Sequence, residues 1–202
     1  MHVHSDAQEK QLDVAICHEV QIADCYRVRE LAAAGFEPEI ILDIGAHIGS
    51  FTVMAAKCFP RARIYSFEPL RQHYDVLVRN SRAGNCQPEN SAVVGFFRAE
   101  EGHDIYVSSQ LERAYRSRQL RNAISVEEMF RSLKLPRIDF LKIDCEQSEV
   151  NIFRELDFLD RIKDISVISG EWHYDTAKNE IRSTVGKTHD VDLIDEGFCN
   201  HF

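Results

Sequence analysis

The run Ile40-Ile41-Leu42-Asp43-Ile44 leads straight into Gly45-Ala46-His47-Ile48-Gly49. A short apolar run between Pro38 and Gly45 has the length and composition of a strand buried on both faces, the kind found in parallel sheets covered by helices. Gly45 permits the tight turn such a strand needs at its end and lets the backbone approach a neighbour with no Cβ in the way. Gly49 opens a helix predicted over 49–59 and stopped by Pro60.

The rest of the chain repeats the alternation. Strands are predicted over 63–67, 90–97, 103–108, 138–143 and 165–169, and helices over 11–34, 70–82, 126–133, 150–159 and 176–185. Ser125 followed by Glu128 is a capping-box pattern at the head of the helix over 126–133. Residues 190–194 and 198–202 read as a closing antiparallel hairpin, and the polar residues 1–10 as frayed. Strands alternating with helices make an α/β three-layer sandwich around a mostly parallel sheet.

Composition narrows the function classes. A net charge of -9 at pH 7 argues against a nucleic-acid surface. Arg113, Arg116, Arg118 and Arg121 recur closely and read as a solvated face. No apolar run is long enough to span a bilayer, so no membrane partner is expected. The first residues lack the basic-then-apolar order of a signal peptide. Six cysteines are scattered without metal-ligand spacing, which fits reduced thiols in a cytoplasmic protein.

In an open parallel sheet, ligands bind beyond the carboxyl ends of the strands. Asp43, Glu68, Asp144 and Glu171 all fall at or just past such ends. A dinucleotide loop reads G-x-G-x-x-G, whereas this one reads G-x-x-x-G after Asp43. That disfavours a nicotinamide-dependent oxidoreductase and fits the amino-acid part of S-adenosylmethionine, with Asp43 holding its ammonium group. Glu68, at the end of the second strand and aimed by Pro69, suits a ribose diol. Asp144 is expected beside the transferring methyl group or the substrate. In Gly170-Glu171-Trp172-His173, the imidazole can take a proton from a substrate hydroxyl, with Glu171 orienting it or touching the substrate. Asp144, Glu171 and His173 can alternatively ligate a divalent ion, although no metal is expected.

Asp43-Ile-Gly-Ala-His-Ile-Gly49, Phe67-Glu68-Pro69, Asp139-Phe-Leu-Lys-Ile-Asp144-Cys-Glu146 and the late Glu171 together resemble the FkbM-type methyltransferases over residues 40–171. The resemblance implies a class I Rossmann-like fold, S-adenosylmethionine as cofactor, and O-methylation of a small molecule or sugar. It implies that Asp43, Gly45, Ala46, His47, Gly49 and Glu68 line the cofactor site, with Asp144 and Glu146 facing the reaction centre. Gln147 stands where the family usually has Gly, which keeps open a non-catalytic module of the same fold that binds a partner protein. Residues 1–35 are expected as a helical extension and 36–202 as the methyltransferase domain.

Overall fold

The computed structural model describes residues 1–82, 85–94, 123–145, 148–173, 175–195 and 200–202. At its centre lie β1 (Ile40–Ile44) and β6 (Ile138–Ile143), every residue of both buried. They pair in parallel, Ile41 opposite Phe140 and Ile44 opposite Ile143. β2 (Arg63–Phe67) and β3 (Cys86–Glu89) extend the sheet on one side and β7 (Ile165–Gly170) on the other, giving the order β3-β2-β1-β6-β7. All four pairings are parallel. The chain leaves β1 in one direction and returns on its other side, so the switch point lies between β1 and β6.

The two-residue period of a strand sorts side chains between layers. Ile41, Ile64 and Phe140 face one way, packing with Val20, Phe51 and Met54. These come from the π-helical turn Glu19–Ala23 and from α3 (Ser50–Cys58). Leu42, Leu141 and Ile143 face the other way, against Met129, Phe153 and Ile181. Those three belong to α5 (Val126–Leu133), α6 (Glu149–Phe158) and α7 (Asp175–Val185). The capping box at Ser125 forms as expected, with Glu128 N–H donating to Ser125 Oγ and Ser125 N–H to Glu128 Oε2.

Several expectations are corrected. Residues 1–10 are not frayed: Asp6 caps α1 (Ala7–His18) by accepting from the amides of Gln8 and Glu9. His2 exchanges two hydrogen bonds with the Asn80 side chain, on α4 (Arg71–Asn80). The single helix over 11–34 is broken by left-handed residues at Asp24 and Arg27. The Asp24 carboxylate accepts from the amides of Arg29 and Glu30 and so starts α2 (Val28–Ala33) afresh.

The third strand of the sheet is β3, which sequence reading passes over because it holds Pro88; a proline is tolerated there because β3 is an edge. Within 90–97, the described β4 (Ala92–Val94) pairs instead with β5 (Ala123–Ser125), apart from the main sheet. The strand expected over 103–108 and the four arginines lie outside the described residues.

The five-stranded sheet contains no antiparallel strand, so the expected hairpin is not part of it. Near the C-terminus, Ile194–Asp195 and Asn200–His201 form a two-residue antiparallel ladder of their own. It is tied to β7 by a bridge between Glu171 and His201 and by reciprocal backbone hydrogen bonds between Gly170 and Phe202. No helix among the described residues is long and apolar enough to cross a membrane.

Candidate active site

The turn after β1 is held by its own backbone. Gly45 has φ +80°, and the amides of Gly45 and Ala46 both donate to Phe67 O at 3.0 Å. A Cβ at Gly45 would fall 1.7 Å from Asp144 O, so β1 and β6 exit side by side with no room between them. Gly49, at φ +88°, serves helix packing instead, because a Cβ there would press on Leu77 of α4. His47 also adopts a left-handed conformation, and its amide donates to Glu68 Oε2 at 2.8 Å. The other oxygen of Glu68 accepts from Leu70 N–H at 2.7 Å. One buried carboxylate thus joins the turn after β1 to the turn after β2, and each oxygen keeps acceptor capacity for a further donor.

Asp43 sits beneath this turn. It shares the face of Ile41, is fully buried, and accepts from Thr52 Oγ1 at 2.7 Å. Its Oδ1 lies 3.2 Å from the Nζ of Lys142, which also donates to Gly45 O at 2.6 Å. Burial pulls the Lys142 pKa down, but attraction from Asp43 and Asp144 outweighs it and the net shift is upward. Lys142 therefore stays charged, and one ammonium group ties β6 to the β1 turn.

Asp144 follows β6. Its Oδ2 accepts from Tyr26 O–H at 2.8 Å and lies 3.7 Å from Lys142 Nζ. Burial, then the charge of Asp144, push the Tyr26 pKa well up, which keeps the phenol a donor. Oδ1 of Asp144 lies 3.8 Å from His173 Nε2. Glu171 completes the group beyond β7, its pKa raised to about 7 by burial and then by the charge of Asp144.

These residues surround a cavity of about 450 Å³ at the switch point. Of the sequence-predicted site, Gly45, Ala46, His47, Glu68, Asp144, Glu171 and His173 line it. Asp43 and Gly49 do not; they act from behind the wall as described. Glu146 and Gln147 lie outside the described residues. Sequence reading missed Lys142 and Tyr26, and it missed Leu12 and Ile16 of α1, which form part of the wall.

It also missed His4 and His73, which gather beside His47 at the Gly45 turn. The rings of His47 and His73 are 4.2 Å apart, and those of His4 and His73 5.2 Å apart. His4 Nδ1 lies 2.9 Å from the buried Asp13. Burial, then the neighbouring His73, push the His47 pKa down to about 4.

The two shifted groups have opposite consequences for stability. Glu171 titrates at about 7 in the folded protein against 4.5 as its ordinary value, so the native state holds the extra proton between those values. Stability then falls as pH rises from 4.5 to about 7. His47, at about 4 against 6.5, makes stability rise with pH across its own interval. Glu171→Gln removes only the first effect. The variant should gain thermal stability relative to wild type at pH 8 and not at pH 5, which melting curves at the two pH values would check.

The comparisons agree with this architecture. The family model described as the methyltransferase FkbM domain matches residues 43–195, from the first motif to the C-terminal ladder. Methyltransferase sdnD of Sordaria araneosa is 27% identical over 184 residues, covering 70% of this chain and 68% of that protein. Among solved structures, the precorrin-6y C5,15-methyltransferase of Geobacter metallireducens GS-15 superposes with TM-score 0.51 at 12% identity, covering 96% of this chain and 80% of its own. The ribosomal protein L11 methylase of Lactobacillus delbrueckii subsp. bulgaricus does so with TM-score 0.51 at 9% identity, covering 88% and 76%. These two likenesses concern the fold, a Rossmann-like methyltransferase sheet. With the family model spanning most of the chain, the protein belongs to the FkbM methyltransferase family and is an S-adenosylmethionine-dependent methyltransferase.

Proposed function

We propose that the acceptor is a hydroxyl group of a small molecule or sugar, methylated at the ends of β6 and β7. The observation that carries this reading is the set Asp144, Glu171 and His173 on one wall of the cavity. A hydroxyl attacks well only if its proton is taken, and an imidazole on the cavity wall has a ring nitrogen that can receive it. Bound S-adenosylmethionine supplies a methyl group on a good leaving group. The residues of this chain position the hydroxyl oxygen for in-line attack and receive its proton. His173 takes that proton, and Glu171 orients the acceptor. As the new O–C bond forms and the S–C bond breaks, the proton passes from oxygen to the imidazole.

The cavity chemistry fits the cofactor. Glu68 is an acceptor for the ribose hydroxyls at the end of β2, and the Gly45-Ala46-His47 turn takes the amino-acid end. Asp144 and Glu19 give the cavity the negative charge that a sulfonium and an ammonium group need. Leu12, Ile16 and Leu70 offer apolar surface to a flat base. In this reading residues 1–35 are an extension that closes the cavity of the domain formed by 36–202.

The test is transfer of labelled methyl groups from S-adenosylmethionine to panels of hydroxylated compounds, amines and thiols. The reading expects label in hydroxyl compounds. Label in amines alone would overturn it.

A further inference from the structure

α1 gives Leu12 and Ile16 to the cavity wall and is fastened on both sides. Ahead of it, His2 is tied to Asn80 of α4, and the His4 ring meets Gln72 O of the same helix at 3.3 Å. At its far end, Cys17 Sγ lies 3.4 Å from Ser50 Oγ of α3, and just beyond, Gln21 Nε2 donates to Ser50 O at 3.0 Å.

Between these anchors one contact is left incomplete. Asp13 is fully buried, and its Oδ2 accepts from the His4 amide at 2.7 Å and lies 2.9 Å from His4 Nδ1. Its Oδ1 makes no hydrogen bond among the described residues, and neither ring nitrogen of His47 makes one, although all three atoms are buried. Buried polar atoms left without a bond are costly and uncommon. The two side chains face each other, with Asp13 Oδ1 3.8 Å from His47 Nε2. That is too long for a hydrogen bond. It is also too short for a bridging water, because two bonds of about 2.8 Å meeting at a tetrahedral angle span about 4.5 Å. An approach of about 1 Å makes the direct bond.

We propose that cofactor binding draws α1 onto the Gly45–His47 turn and completes this latch, with His47 Nε2–H donating to Asp13 Oδ1. The inference rests on the placement of S-adenosylmethionine in this cavity. A ligand shifts a conformational equilibrium only through contacts that are better in one state. The cofactor has such contacts on both sides of the latch. His47 belongs to the turn assigned to the amino-acid end, and its amide is bonded to Glu68, the acceptor for the ribose. Leu12, next to Asp13, lines the cavity yet is 51% exposed, so a ligand against it gains apolar burial as α1 approaches. His4 already occupies the other oxygen of Asp13, which leaves Oδ1 for the turn. The coupling is reciprocal: the cofactor steadies α1, and the latch slows release of the cofactor.

The test is hydrogen–deuterium exchange of the full chain with and without saturating S-adenosylhomocysteine. In wild type the ligand should slow the amides of α1 by about tenfold. His47→Phe keeps a ring and the turn amide but removes both nitrogens. It should still bind, lose most of the ligand-dependent slowing in α1, and release the ligand about tenfold faster. Asp13→Ala should act in the same direction, and the double variant should release the ligand no faster than Asp13→Ala, because one bond is removed only once. Wild-type α1 amides that exchange at the same rate with and without the ligand, wild-type release from His47→Phe, or additive effects in the double variant would overturn the inference. The wild-type comparison decides alone if a variant does not fold. Glu68→Ala tests the premise separately. If it binds as wild type does, the cofactor lies elsewhere and the inference falls with its premise. If it loses binding while wild-type α1 ignores the ligand, the placement stands and the latch alone is wrong.

Discussion

Gly45→Ala is expected to abolish detectable S-adenosylhomocysteine binding and to lower the melting temperature. Two penalties fall on the same atom. The residue has φ +80°, where a side chain costs about 1–2 kcal/mol. Its Cβ would also lie 1.7 Å from Asp144 O and 2.7 Å from Asp144 C. Both are backbone atoms of the adjacent strand exit, held by Asp144 N–H donating to Ile44 O at 3.1 Å, so no rotamer change relieves the clash. The turn must move away from β6, and it takes with it the amide of His47 and the carboxylate of Glu68. Gly49→Ala is the useful contrast, because its Cβ would meet the flexible tip of Leu77 at 2.7 Å. That variant should lose stability but retain most of its affinity. Calorimetric titration and thermal melts of both proteins separate the two roles.

Lys142→Met should be nearly as damaging, through charge instead of shape. The substitution keeps most of the side-chain length but leaves Asp43 buried without its cation. Breaking a buried pair from one side typically costs about 3–5 kcal/mol. For a chain of this size that is a fall in melting temperature of roughly 6–20 °C, at about 2–4 °C per kcal/mol. The carbonyl of Gly45 loses a donor in the same step, so the turn loosens and cofactor affinity should fall with stability. Adding Asp43→Asn removes the stranded charge, and the double variant should regain much of the stability lost. If Lys142→Met melts within a degree or two of wild type, the ammonium is not the tie between β6 and the β1 turn.

The strands that build the site are legible in the sequence because burial on both faces leaves a mostly apolar run. Ile40–Ile44 and Ile138–Ile143 show it, and Glu68, Asp144 and Glu171 can be placed from where such runs stop. Chain position does not reveal which way a side chain points. The sequence suggests that Asp43 faces a ligand, yet it still belongs to β1 and takes the face of Ile41, toward Thr52. Lys142 escapes notice for the mirror reason: a charged residue inside a buried strand is intelligible only once its carboxylate partners on neighbouring elements are known. Tyr26 reaches Asp144 across 118 positions of sequence, a contact no local pattern encodes. His4 precedes α1, His47 lies in the turn after β1 and His73 is on α4, and only the tertiary fold gathers them.

The central claim is that the cavity beside the Gly45 turn, with Glu68 at its rim, holds the cofactor. Calorimetric titration with S-adenosylhomocysteine, comparing wild type with Glu68→Ala and Glu68→Gln, tests it most directly. The account predicts micromolar binding by wild type, loss of binding in Glu68→Ala, and affinity at least tenfold weaker in Glu68→Gln, which keeps an acceptor for the backbone amides but gives up the carboxylate. Wild-type affinity in a folded Glu68→Ala protein would contradict it and move the cofactor elsewhere.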